Sequence, residues 1–131
     1  MKHFIPVLLS VILVLTGCAS SSNPAVQENS YRQISQEEAK QMMDQLDEAV
    51  ILDVREQNEF DSGHIPGAIL LPVGTITEDR AATVIPGKDT TVLVYCRSGN
   101  RSKTASDALV KLGYTQVYEF GGINTWPYDV E

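Results

Sequence analysis

Apolar positions along this chain follow several distinct spacings, and each predicts a different element. Phe4 to Leu15 is apolar apart from Pro6 and Ser10, and it follows the short basic start Met1-Lys2-His3. Residues 19 to 30 are mostly Ser, Asn, Pro, Gln and Glu, the composition of a flexible tether. Ala39, Met42, Met43 and Leu46 then recur at the i, i+3, i+4, i+7 spacing of an amphipathic helix. Ser35-Gln36-Glu37-Glu38 ahead of them is a capping-box pattern, so the helix starts there and its methionines are core packing.

Two runs change the period. Val50-Ile51-Leu52-Asp53-Val54 and Thr91-Val92-Leu93-Val94-Tyr95 are short, nearly continuous and rich in β-branched residues, as strands buried on both faces of a parallel sheet are. Ala68-Ile69-Leu70-Leu71 and Val117-Tyr118-Glu119-Phe120 are weaker strands of the same kind. Helical segments are expected between them: one turn over Glu56 to Phe60, a helix from Thr75 to about Thr83, and another from Ser102 to Leu112. The last places Ala105, Ala108, Leu109 and Leu112 on one face and has Gly113 positioned as its C′ residue. Strands alternating with helices define an α/β domain whose mainly parallel central sheet is covered by helices on both faces.

Length and charge narrow this picture. The 131 residues leave room for one domain, taken as 31–131, after an N-terminal segment 1–17 and a tether 18–30. With 10 Lys plus Arg against 17 Asp plus Glu, the net charge of -7 argues against nucleic acid as a partner. No CxxC or His/Cys cluster offers metal ligands, and no cofactor is implied.

The N-terminal apolar run has the length of a signal-peptide core and falls short of the roughly 20 residues that span a bilayer. Leu15-Thr16-Gly17-Cys18 resembles the lipobox of bacterial lipoproteins. That resemblance implies cleavage before Cys18, acylation of its sulfur, export, and a lipid anchor to the membrane. Ala19 in the following position implies the periplasmic face of the outer membrane in a Gram-negative host. Loss of residues 1–17 removes Lys2 and His3, leaving a net charge of -8, one histidine (His64) and one unmodified thiol (Cys96).

Cys96 ends a buried strand and precedes a helix, the position where α/β folds bind ligands. Inward-pointing backbone N–H groups and the positive end of a helix dipole favour an anion there. Such surroundings can lower a thiol from about 8.5 into a range of roughly 3.5–7.5. Arg97, Arg101 and Lys103 concentrate positive charge around it, Gly99 permits a tight curl, and Ser98, Asn100 and Ser102 supply short polar side chains for a cradle. A reactive, exposed thiolate is expected, one that oxidises readily unless a resting persulfide caps it.

Cys96-Arg97-Ser98-Gly99-Asn100-Arg101-Ser102 resembles the active-site loop of single-domain rhodanese-type sulfurtransferases. Ile51-Leu52-Asp53-Val54-Arg55-Glu56 with Glu59-Phe60, then Gly63-His64-Ile65-Pro66-Gly67-Ala68, and Gly121-Gly122-Ile123 with Trp126 resemble the family's other motifs in the same order. The resemblance implies a rhodanese-like fold. It also implies sulfur transfer from a thiosulfate-like anionic donor to cyanide or a thiol through a persulfide on Cys96. Arg97 and Arg101 are then expected to attract the donor and neutralise departing sulfite. Asp53 and Arg55 support the loop, while His64 and Trp126 with its glycines serve packing.

Two other readings start from the same loop. A non-enzymatic sulfane-sulfur carrier or sensor, docking with an envelope redox or acceptor protein, would use Cys96 identically. Protein phosphatases and arsenate reductases also place a loop between Cys and Arg, but with five residues, where this chain has the four from Arg97 to Asn100.

Overall fold

A computed structural model describes residues 30–131. Cys18 and the segments expected to be a signal peptide and a tether lie outside the described residues, apart from residue 30. Five strands form one sheet in the order β1-β5-β4-β2-β3, and every pair is parallel. They are β1 (Arg32–Gln33), β2 (Val50–Asp53), β3 (Ile69–Leu70), β4 (Thr91–Cys96) and β5 (Gln116–Gly122). Four helices connect them: α1 (Gln36–Gln45), α2 (Gln57–Ser62), α3 (Glu78–Val84) and α4 (Asn100–Lys111).

The expected α/β architecture is present, with a core on each side of the sheet. Val92, Val94 and Cys96 of β4 turn one way, toward Ala81 of α3 and Ala105 and Leu109 of α4. Leu93 and Tyr95 turn the other way, toward Ala39 of α1, Phe120 and Trp126. β4 is central and buried from Val92 to Cys96, which explains why its sequence is apolar without alternation. Ser35 caps α1 as read, its Oγ accepting from the Glu38 N–H at 3.0 Å while Glu38 returns a bond to the Ser35 N–H.

The elements differ from the expectation in three places. β1 is an additional edge strand, only two polar and exposed residues long, so it carries no hydrophobic period. The segment from Thr75 to Thr83 is not one helix. A 3₁₀ turn occupies Val73–Thr75, and Thr77 then caps α3 through its side chain. Finally, α4 begins at Asn100 rather than Ser102, because Gly99 takes a left-handed conformation at φ 102° and turns the chain into the helix within one residue. Among the described residues, no helix is long and apolar enough to cross a membrane.

Candidate active site

Cys96 lies at the carboxyl end of β4 with its Sγ held under the loop. The Gly99 N–H donates to Sγ at 3.0 Å, and the Ser102 hydroxyl lies 3.4 Å from it. Burial pushes the thiol up. The Ser102 hydroxyl and the N–H groups of Ser102, Gly99 and Ser98 outweigh it and leave Cys96 below the ordinary thiol value. The exposed thiol expected from the sequence is a buried one, with 1% of the residue's surface accessible, because the loop curls over the sulfur before α4 begins.

A shelf formed by the end of β5 fixes the loop from below. The Asn124 N–H donates to the Arg97 carbonyl at 3.2 Å. Gly122 lies so close beneath that a Cβ there would fall on this same carbonyl, so the position tolerates no side chain. Gln36 at the start of α1 donates to the Gly122 carbonyl at 2.8 Å and to Thr125 Oγ1 at 3.0 Å, tying the shelf to the first helix.

The predicted cradle divides by role. Arg97 and Ser98 are exposed at the loop, Gly99 is buried, and Asn100, Arg101 and Ser102 form the first turn of α4. Arg97 makes no ion pair among the described residues. Arg101 differs: its guanidinium grips Glu59 of α2 through two bonds of 2.7 and 2.9 Å. That fork holds the Glu59 carboxyl down at about 2. The expectation of two arginines free to meet a donor is therefore changed, since one of them is already matched by a carboxylate.

Asp53 and Arg55 act away from the sulfur. The Arg55 guanidinium donates to Asp53 at 2.7 to 3.1 Å and to the Gly63 carbonyl at 2.7 Å, while the Tyr95 hydroxyl donates to Asp53 at 2.6 Å. Tyr95 accepts in turn from the Ile65 N–H at 3.1 Å. This buried network locks β2, β4 and the Gly63–His64 turn together. Burial first, then the bond to Asp53, drives the Tyr95 hydroxyl upward. His64 stacks on Phe60 with ring centroids 3.9 Å apart, and Trp126 packs against Phe120 at 5.5 Å.

Two residues of the site were not among those expected. Glu59 belongs to a quoted motif, but nothing in its spacing shows that it meets Arg101. Glu119 is buried on the face of β5 that also carries Val117, and its Oε1 accepts from the Ser102 hydroxyl at 2.6 Å and from the Gly121 N–H at 2.8 Å. An acid at an inward position of an otherwise apolar strand was its visible signal.

A parallel sheet whose central strand delivers a nucleophilic sulfur to the start of a helix defines a class of cysteine enzymes rather than one family. The chain belongs to the rhodanese-like domain family, whose sequence model matches residues 35–127, and it is a rhodanese-type enzyme. It is 40% identical over 72 residues to the thiosulfate sulfurtransferase PspE of Escherichia coli, covering 55% of this chain and 68% of that one. It is 36% identical over 97 residues to the thiosulfate sulfurtransferase GlpE of Coxiella burnetii, covering 73% and 87%. A solved structure of a rhodanese with anions from E. coli superposes with a TM-score of 0.59 at 34% identity, covering 63% of this chain and 96% of that one.

Proposed function

We propose that the protein moves a sulfane sulfur from thiosulfate or a similar anion to cyanide or a thiol, carrying it as a persulfide on Cys96. The observation that carries this reading is the Cys96 sulfur, lowered in pKa and held by the loop N–H groups beside the exposed Arg97. The thiolate attacks the outer sulfur of thiosulfate, the S–S bond of the donor breaks, and sulfite leaves with the electron pair. The acceptor then attacks the terminal sulfur of Cys96-S-S⁻, and the thiolate returns. Two displacements need a nucleophile that also holds sulfur stably, which a cysteine does and a serine does not.

Arg97 is the exposed cation next to the sulfur in sequence, with Lys103 exposed on α4, whereas Arg101 keeps Glu59. Arg97→Ala is expected to raise the KM for thiosulfate about tenfold, with kcat changed by less than about threefold, in steady-state thiosulfate:cyanide transfer. An unchanged KM would remove Arg97 from donor binding. Against phosphate hydrolysis, the other reading of a Cys-to-Arg loop, stands the loop length: four residues separate Cys96 from Arg101 where phosphatases have five.

The N-terminal segment extends the proposal to place. Leu15-Thr16-Gly17-Cys18 supports export and acylation of Cys18, and two or more acyl chains on one residue hold a protein stably at a membrane. Metabolic labelling with a palmitate analogue is expected to mark the wild type and not Cys18→Ala; label on both would exclude Cys18 as the acylated residue.

A further inference from the structure

Strand alternation assigns position 119 to the core, and the residue there is an acid. Glu119 is 3% exposed and Ser102 fully buried, and the Ser102 hydroxyl contacts both Glu119 and the Cys96 sulfur. Two contacts link three groups: Sγ of Cys96 lies 3.4 Å from Oγ of Ser102, and that oxygen lies 2.6 Å from Oε1 of Glu119. The hydroxyl has one proton and three acceptors in reach, Glu119 Oε1 at 2.6 Å, the Gly121 carbonyl at 3.4 Å and the Cys96 sulfur at 3.4 Å. At 2.6 Å from a carboxylate, in the geometry of a charge-assisted bond, it is committed to Glu119 and faces the sulfur as an acceptor.

We propose that Glu119 is a positioning residue that governs the proton of Cys96 through the Ser102 hydroxyl, so that thiol and carboxyl hold a single negative charge between them. The step conserves charge. The Sγ–H bond breaks, its proton passes to Ser102 Oγ, and the hydroxyl's own proton passes to Glu119 Oε1. A thiol and a carboxylate become a thiolate and a carboxylic acid. Ser102 then presents its O–H to the sulfur, the orientation in which it stabilises the thiolate. A donor anion arriving at the loop meets one negative charge rather than two.

The alternative, thiolate and carboxylate both ionised within about 6 Å in a buried site, sets two like charges against each other. Other charged groups around Glu119 do not relieve this repulsion fully. Lys103 of α4 lines the same cleft but is exposed, Arg32 of β1 turns to the Tyr118 hydroxyl, Arg97 is exposed, and Arg101 belongs to Glu59. Gln36, the α1 side chain that lines this cleft, is neutral.

The test reads the unloaded thiol. It takes from the proposed function only that Cys96 is the nucleophile, and it can fail while persulfide formation stands. In the full chain, the rate of iodoacetamide alkylation at the Cys96 peptide is followed by mass spectrometry across pH. Glu119→Gln and Glu119→Leu both remove the charge, and Leu restores the apolar alternation of β5. Both are expected to lower the alkylation midpoint by about one pH unit, roughly a tenfold faster reaction below it. Ser102→Ala keeps the charge and cuts the relay, and its midpoint is expected to rise. A merely structural Glu119 would need its acceptor, so Gln would behave as wild type and Leu would not. A folded Glu119 variant with an unmoved or raised midpoint, or a lowered midpoint in Ser102→Ala, overturns the proposal.

Discussion

Glu59 and Arg101 meet through a two-pronged bond across 42 residues of chain, and that single pairing gives the site an acid limit. Its first cause is the Arg101 hydrogen bond, with the N–H of Glu56 adding to it, and the carboxyl falls from 4.5 to about 2. A carboxyl held lower in the folded chain than in the unfolded one stabilises the fold above its unfolded value. That contribution is lost as pH falls from about 4.5 toward 2. Urea unfolding of the wild type should therefore weaken steeply through this window, and Glu59→Gln should flatten the slope there. Equal slopes would show that the pair does not couple to folding. Residue chemistry was legible where it lay within one loop. Cys96 and its neighbours announced a nucleophile, whereas Glu59 and Glu119 reach the loop only through tertiary packing.

Between elements, the decisive contact is backbone on backbone. Gly122, the last residue of β5, sits against the Arg97 carbonyl so closely that there is no room between them for a Cβ. Gly122→Ala should push the loop off its position, and a displacement of about 1 Å costs on the order of a hundredfold in rate. Sulfur transfer should fall to that extent while far-UV circular dichroism keeps the wild-type shape; transfer within about twofold of wild type would show that the shelf is not the support. The central strands β2 and β4 were readable because burial on both faces writes an unbroken apolar run. The two polar residues of β1 have no such pattern, and the break between Thr75 and Glu78 depends on which threonine takes the cap. Element boundaries follow local capping, which a hydrophobic period does not encode.

At the scale of the molecule, all five strands point the same way, so one edge of the sheet collects the loops that lead into helices. The Asp53–Arg55–Tyr95 network stiffens that edge by joining β2, β4 and the turn at Gly63. An acidic chain of net charge -7 still offers exposed cations, Arg97 and Lys103, beside the one buried sulfur among its described residues that carries a free thiol. The fold class was legible as a whole because alternation of buried strands and amphipathic helices admits few arrangements. The local excess of positive charge keeps its sign but rests on Arg97 and Lys103, because Arg101 is matched by Glu59.

Both displacements pass through a persulfide on Cys96, and intact mass after incubation with thiosulfate reads its formation. The wild type should gain the mass of one sulfur atom, lose it on addition of cyanide, and show no gain in Cys96→Ser. A wild type that gains nothing, or a Cys96→Ser variant that gains the same mass, would contradict the account.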